Sequence, residues 1–355
     1  MPDYANEADE ELPVSLAEPF RSIATGSPNW ESCDMEVVCA GNLVADIFAN
    51  PIAALPAAGQ LGLTERLLFG AGGCATNVAA CLRRLGRPTK VLGKVGDDVF
   101  GNLVIEDLKR LGIDASSVLR SQTHPTSGTV IINVIGEERR YIHCIGANAD
   151  FSFSDIDCLA LTGARALYVG GYMAMPRFGP EDLTQLFREG KKRSLTTILD
   201  VVIPSGYSVS GEEVAAMLAY TDVFLPNDDE AYALTGLREP RAQAGYLARM
   251  NPDCCVVVTQ GRRGALAQRK DDVIQVGTYA VEALDESGSG DAFAAGFITA
   301  VLQGCSLEDT LRFASAVGAS CTRALGCTDG VFRFDEALTF MSENSLPVER
   351  SPAEG

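Results

Sequence analysis

Four short apolar segments, separated by stretches of helical length, constrain the fold of this chain most strongly. Each stops at a glycine or a polar side chain, and they occupy residues 35–41, 197–200, 223–227 and 254–259. Continuous apolar runs indicate parallel strands covered on both faces, and the apolar spacing of residues 180–194 and 212–220 predicts two covering helices. Ligands bind at the carboxyl ends of such strands, so we expect four polar residues on one rim: Asp200, Asn227, Glu230 and Thr259.

A different pattern, typical of antiparallel strands, occupies residues 126–144. Two strand-like runs flank the segment 136–138 and predict a β-hairpin with a glycine-containing turn. With segments near residues 47–69, the hairpin region 126–145 is expected to form a small sheet over the rim. Such a sheet exposes an apolar face that needs a partner, so we expect a homodimer formed through it.

Length and composition divide the chain into three parts. With 355 residues and 46% apolar side chains, it can bury one large α/β core with a smaller appendage. Residues 1–33 are acidic and rich in Pro, Ser and Ala, which predicts a disordered extension. The folded domain is expected over residues 34–340, and the polar segment 341–355 is expected to be a loose tail.

Charge and cysteine usage exclude several classes of function. The 29 Lys and Arg against 47 Asp and Glu give a formal charge of −18, which argues against nucleic acid as a partner. No apolar run approaches the roughly 18 to 20 residues of a membrane span, and no signal pattern is present, so we expect a cytoplasmic protein without membrane association. The 11 cysteines form no Cys-x-x-Cys pair, and the two histidines fit no zinc or triad pattern.

A glycine-containing loop opens an apolar helix near residue 289 and carries the strongest chemical signal. Gly288 and Gly290 allow a ligand to approach bare backbone amides at the positive end of the helix dipole, and Asp291 follows in the first turn. Amides that hold phosphate oxygens and a base for a hydroxyl are what phosphoryl transfer to an alcohol needs. The competing interpretation is an ordinary helix start capped by Ser287 or Ser289.

Further motifs decide between these interpretations. A Gly-Gly-Cys-Ala-Thr-Asn sequence begins at Gly72, and other matching segments lie at 93–98, 146–148, 227–230, 234–236 and 259–261. Together with the 285–291 loop, they resemble the ribokinase-like (PfkB) family of carbohydrate kinases. The resemblance implies an α/β fold with a mostly parallel central sheet flanked by helices, and a small β-sheet lid.

The resemblance also implies an ATP- and Mg²⁺-dependent sugar kinase, with roles for named residues. Asp291 is the expected general base, and the anion hole is expected from the amides of Gly288, Ser289 and Gly290. The residues implied on the sugar side are Asp46, Gly72, Gly73 and Asn77. The residues implied on the nucleotide side are Asp200, Asn227, Glu230, Thr259 and Gly261, with Glu230 holding Mg²⁺ through water. Asp285 and Ser287 match a monovalent-cation loop, which implies K⁺.

Several positions depart from the family pattern and leave the acceptor open. Glu286 replaces a usual Thr, so it either points away from the phosphate site or pairs with a cation. Val44 and Cys74 replace an Asn and a Lys that ribokinases carry, which argues against ribose itself. A nucleoside kinase and a non-catalytic sugar-binding member of the same fold remain alternatives.

Two further alternatives concern basic and glycine-rich segments. Arg139 and Arg140 in the hairpin leave a phosphorylated sugar open as acceptor. Residues 70–75 also fit a dinucleotide-binding fingerprint, with Asp97 downstream as its acidic residue. The strand that would precede this fingerprint is only three residues long, and a dehydrogenase does not explain the later glycine loop.

Overall fold

The computed structural model describes residues 35–49, 51–137, 140–204, 206–207 and 209–353. The strands in this part of the chain are β1 (Val37–Gly41), β2 (Val44–Ala49), β3 (Leu67–Gly72), β4 (Thr89–Gly96), β5 (Asp114–Ser121), β6 (Gly128–Ile132), β7 (Arg140–Cys144), β8 (Ala166–Tyr172), β9 (Thr196–Val201), β10 (Val223–Phe224), β11 (Cys255–Thr259), β12 (Ala265–Arg269), β13 (Asp272–Val276) and β14 (Val348–Pro352). The helices are α1 (Cys74–Arg84), α2 (Val99–Arg110), α3 (Pro180–Lys192), α4 (Gly211–Leu218), α5 (Asp228–Thr235), α6 (Pro240–Met250), α7 (Ser289–Leu302), α8 (Leu307–Cys321) and α9 (Phe334–Glu343).

Ten strands form one large sheet in the order β14-β13-β12-β11-β10-β9-β8-β1-β4-β5. The seven strands from β11 to β5 run parallel, and β12, β13 and β14 add an antiparallel edge. The four apolar segments recognised in the sequence correspond to β1, β9, β10 and β11, which confirms the predicted mostly parallel sheet. The two predicted helices correspond to α3 and α4.

Both faces of the large sheet are buried, as the side chains of β1 show. Val37 and Cys39 belong to one apolar cluster, whereas Val38 and Ala40 belong to another. The first cluster includes side chains of α1, α2, α7, α8 and α9; the second includes α3, α4, α5 and α6. Burial on both faces explains why the sequences of these strands are continuously apolar and do not alternate between apolar and polar residues.

The remaining four strands form a separate sheet in the order β3-β2-β6-β7, called the lid below. Strand β2 pairs antiparallel with β3 and parallel with β6, and β6 and β7 form the predicted hairpin. Helix α2 supports the base of this sheet, where the Asp107 carboxylate accepts a hydrogen bond from the Ala71 amide at 2.9 Å. Strand β3 is therefore an antiparallel lid strand, and the context required by the dinucleotide fingerprint is missing.

The expectation of a loose tail is wrong for residues 341–352. Helix α9 continues to Glu343, and β14 pairs antiparallel with β13 along its whole length. An edge strand with mostly exposed side chains needs no apolar alternation, so its polar sequence gave no strand signal. The folded domain thus extends beyond residue 340.

Other expectations concern segments that are not described or features of the whole chain. The predicted disordered extension, residues 1–33, lies outside the described residues, as does Arg139.

All ten cysteines in the described ranges are free thiols. Of the helices in these ranges, none has the length and apolarity that crossing a bilayer requires.

Candidate active site

The glycine loop forms a tight start for α7. Gly288 has a left-handed backbone conformation with φ 74°, and a Cβ atom at this position would lie 2.5 Å from the carbonyl oxygen of Cys327. Both the conformation and the lack of space therefore require glycine. A Cβ at Gly290 would meet nothing within 4 Å, so the backbone there borders open space. The first turn of α7 thus faces a cleft.

Asp291 occupies the third position of α7 and points across to another helix. Its carboxylate accepts a hydrogen bond from the Asn77 side-chain amide of α1 at 2.9 Å. Gly288 occupies the N-cap position of α7, so neither Ser287 nor Ser289 stands where an ordinary Ser cap would. Burial raises the pKa of Asp291 to about 6, although hydrogen bonds from Asn77 and Cys74 partly oppose the rise. Its carboxylate is well suited to accept a proton near neutral pH.

The three predicted anion-hole amides are not equivalent. Within the described residues, the amides of Gly288 and Gly290 have no hydrogen-bond partner in the protein. The Ser289 amide instead donates to the Glu286 carbonyl at 3.3 Å, which differs from the expectation that it faces a phosphoryl group. Two free backbone donors beside the Asp291 carboxylate therefore remain for an anion.

The cleft in front of this turn brings most of the predicted nucleotide-side residues together. It has a volume of about 200 Å³, and its polar lining residues are Cys74, Asp200, Asn227, Glu230, Thr259, Glu286, Ser289 and Asp291. Asp200 is partly buried near the end of β9 and accepts a hydrogen bond from the Tyr168 hydroxyl at 2.8 Å. The predicted rim of polar residues is therefore present.

Several carboxylates lie close together in this cleft and raise one another's pKa. Burial, followed by the charges of Glu230 and Asp291, raises the pKa of Asp200 well above its ordinary range. Burial raises the pKa of Glu230 to about 7, although its bond to Asn227 opposes the rise and Asp291 adds to it. Among the described residues, Asp200, Asp291 and Cys74 place one donor atom each within 4.8 Å of one another, and the two carboxylate oxygens are donors that a hard divalent cation accepts.

Asn227 and Glu230 also serve the helix that they begin. The Asn227 side chain accepts from the Glu230 amide at 2.8 Å, and Glu230 accepts from the Asn227 amide at 2.9 Å. This reciprocal cap of α5 fixes both side chains at the rim. Thr259 pairs with Asn227 through an isolated backbone bridge. Gly261 begins a short 3₁₀ turn, Gly261–Arg263, and is not among the residues lining the cleft.

On the acceptor side, the glycine pair makes room for protein groups. A Cβ at Gly72 would lie 1.9 Å from the Asp46 carboxylate, and one at Gly73 would lie 2.4 Å from the Asn42 carbonyl oxygen. Gly72 therefore allows Asp46 to fold over the start of α1. Burial raises the pKa of Asp46 to about 6, and a hydrogen bond from Thr129 opposes the rise.

The loop predicted to bind a monovalent cation is tied together by Asp285. Its buried carboxylate accepts bonds from the Ser287 amide at 3.0 Å and the Gly326 amide at 2.9 Å. Glu286 forms an ion pair with Arg262 at 2.6 Å, which offsets its negative charge. Of the two alternatives predicted for Glu286, this agrees with the one in which it pairs with a cation. Arg140 of the hairpin likewise pairs with Glu137.

Sequence reasoning missed several residues that contact the predicted ones. Cys74 was noted only as a departure, yet its thiol hydrogen-bonds Asp291. Tyr168 lies inside a continuous apolar strand, and Thr129 and His143 lie on lid strands whose register the sequence does not reveal. The Asp46–Thr129 and Thr129–His143 contacts depend on pairing between strands far apart in the chain.

Comparisons with known proteins agree with this geometry. The model of the pfkB family of carbohydrate kinases matches residues 34–332. The 5-dehydro-2-deoxygluconokinase of Clostridium perfringens is 26% identical over 276 residues, covering 73% of this chain and 80% of the relative. The ribokinase of Arabidopsis thaliana is 28% identical over 309 residues, covering 82% of this chain and 76% of that protein.

A solved structure of similar shape is that of Arabidopsis thaliana ribokinase complexed with ribose and ATP. It matches with a TM-score of 0.75 and 25% identity, covering 86% of this chain and 98% of the other. Both the sequence match and the sheet topology therefore point to one family. The chain belongs to the PfkB family of carbohydrate kinases and is an ATP-dependent sugar kinase.

Proposed function

We propose that this enzyme transfers the terminal phosphoryl group of ATP to a hydroxyl of a small sugar, with Asp291 as general base. The observation that carries the proposal is a partly buried carboxylate, with its pKa raised to about 6, beside the unpaired amides of Gly288 and Gly290. Asp291 accepts the hydroxyl proton while the two amides stabilise charge on the transferred group. Asn77 holds the carboxylate in position.

The nucleotide binds on the side of the cleft lined by Asp200, Glu230 and Thr259. A putative ribokinase II of Escherichia coli, similar in fold with a TM-score of 0.72, was solved in complex with ATP and Mg²⁺. The crowded carboxylates support the same cation here, since Mg²⁺ would offset their repulsion. Glu230 would hold Mg²⁺ through water, and the bound ion would supply positive charge to the phosphate oxygens. The backbone amide of Asn227 donates to the Glu230 carboxylate and keeps it oriented at the rim.

The sugar binds between the lid and the start of α1. A carboxylate accepts bonds from two neighbouring hydroxyls, and Asp46 supplies one on the lid side. Asn77 and the backbone at Gly72 and Gly73 line the opposite side. The acceptor hydroxyl then lies between Asp46 and the Asp291 carboxylate.

Two assignments concern the surroundings of this site. We propose that K⁺ binds in the loop of Asp285 and Ser287 and supports the anion hole, since a buried carboxylate joins this loop to residue 326. The ion pair with Arg262 offsets the negative charge of Glu286. Free thiols throughout the described ranges support a reducing, cytoplasmic location.

We also propose a homodimer formed through the lid. On the lid face opposite Asp46, Ile47, Val130 and Ile142 lie side by side in register. Val130 is 41% and Ile142 is 64% exposed, so an apolar row lies open to solvent. A second copy of the same row is a self-complementary partner for it.

The proposed activity is tested by ADP release with Mg²⁺-ATP across pentoses, hexoses, keto-deoxy acids and nucleosides. We expect sugars to stimulate release, and Asp291→Asn to lower kcat by about 10²- to 10⁴-fold with the fold unchanged by circular dichroism. Asp309→Asn, at the same third position of α8, is the matched control and keeps full activity. Normal turnover in Asp291→Asn would exclude the base, whereas preferential phosphorylation of nucleosides would favour the nucleoside kinase alternative.

The cation assignment predicts a dependence on ion size. Replacing K⁺ by tetramethylammonium at constant ionic strength is expected to lower kcat, because the large ion cannot enter the loop of Asp285. Steady-state rates with the best sugar measure the effect. Equal rates in the two salts would rule out a K⁺ site.

The dimer predicts a specific effect of one lid residue. Ile142→Asp is expected to convert a dimer to a monomer, as measured by sedimentation velocity, because it buries a charge in the apolar row. Leu159→Asp replaces a residue that is 73% exposed outside the lid and should leave the dimer intact. A monomeric wild-type protein at micromolar concentration would contradict the proposal.

A further inference from the structure

A row of polar side chains crosses the lid on the face that carries Asp46. Asp46 of β2 lies opposite Thr129 of β6, which lies opposite His143 of β7. Residues paired in register on adjacent strands project from the same face of a sheet. The face of the lid toward the acceptor therefore presents Asp46, Thr129 and His143 side by side.

Hydrogen bonds join the three side chains into a chain. The Thr129 hydroxyl oxygen lies 3.0 Å from Nδ1 of His143. Hydrogen bonding from Thr129 lowers the pKa of Asp46 against the larger effect of burial. An ionised carboxylate can only accept, so Thr129 donates its single proton to Asp46. Nδ1 of His143 must then donate to Thr129.

This order of donors fixes the state of the His143 ring. Loss of surrounding water lowers the pKa of His143, so the ring is neutral at neutral pH. A neutral imidazole that carries its proton on Nδ1 has a lone pair on Nε2. His143 thus offers a hydrogen-bond acceptor at the lid edge, one strand beyond Thr129.

We propose that Nε2 of His143 accepts a hydrogen bond from a second region of the sugar, and that the acceptor is a neutral, polyhydroxylated sugar rather than a sugar acid. This inference rests on the proposed kinase function and extends its acceptor site from Asp46 across the lid. His143 is a specificity residue, because it contacts a hydroxyl distant from the one that reacts.

The charges around the acceptor favour the same class of substrate. A sugar carboxylate bound along this row would meet the Asp46 and Asp291 carboxylates and the lone pair of His143. Three basic side chains in the described part of the chain already have acidic partners: Lys94 pairs with Asp150 at 3.0 Å, Arg177 pairs with Asp150 at 3.0 Å, and Arg140 pairs with Glu137. Hydroxyl groups, in contrast, can donate to every acceptor in the row.

The test compares wild type with lid variants on matched substrates. ADP release is measured with neutral pentoses and hexoses and with the corresponding aldonic and keto-deoxy acids. We expect neutral sugars to be preferred, and His143→Leu to raise the KM of the best sugar about tenfold, the typical effect of one hydrogen bond, with the KM of ATP unchanged. His143→Gln, whose side-chain oxygen reaches as far as Nε2, should restore most of the loss.

The chain offers a matched control in its other histidine. His124 is exposed, and its Nδ1 lies 2.9 Å from the Thr123 hydroxyl, so His124→Leu removes the same kind of pair away from the lid row. This variant should behave like wild type. An active enzyme that prefers sugar acids, or a His143→Leu variant with an unchanged KM for the sugar, would overturn the inference. Absence of ADP release with every sugar would instead remove the kinase proposal itself.

Discussion

The hydrogen bond between Asn77 and Asp291 joins the two halves of the active site. Asn77 belongs to α1, whose start follows the glycine pair beside Asp46, and Asp291 belongs to α7, whose start carries the free amides. The two helices pack side by side on one face of the large sheet. One contact thus sets the position of the proposed base relative to both the sugar and the phosphate sides.

The electrostatics of the cleft follow from burying acids together. Asp200, Glu230 and Asp291 all have raised pKa values, with burial as the largest cause. A carboxyl group whose pKa is raised by folding stabilises the protein below its ordinary pKa and loses that contribution as the pH rises through the folded value. Those carboxylates of the cleft that are ionised at neutral pH therefore repel one another, and a bound cation would relieve this repulsion. In the proposed mechanism, this unfavourable arrangement serves to hold Mg²⁺ and to take up a proton.

Much of this arrangement could be predicted from local sequence. The glycines at 288 and 290, the acid at 291 and the apolar strands each have a local physical reason, so their pattern predicted the large sheet and a helix start with free backbone amides. The polar edge strand β14 could not be predicted, because an exposed strand imposes no apolar period. The chain from Asp46 to His143 also escaped prediction, since it depends on the register of three strands. The Ser289 amide shows a further limit: a helix start predicts free donors, but the path of the preceding loop decides which of them bond internally.

The central claim is that the Asp291 carboxylate accepts the proton of the sugar hydroxyl, and the pH dependence of kcat/KM tests it most directly. A base must be unprotonated, so the account predicts that kcat/KM falls as the pH drops through about 6, the value to which burial raises the pKa of Asp291. Asn77→Ala removes a hydrogen bond that stabilises the ionised form and should move this limb to higher pH. A rate that stays constant well below pH 6, or a limb that Asn77→Ala leaves in place, would contradict the account.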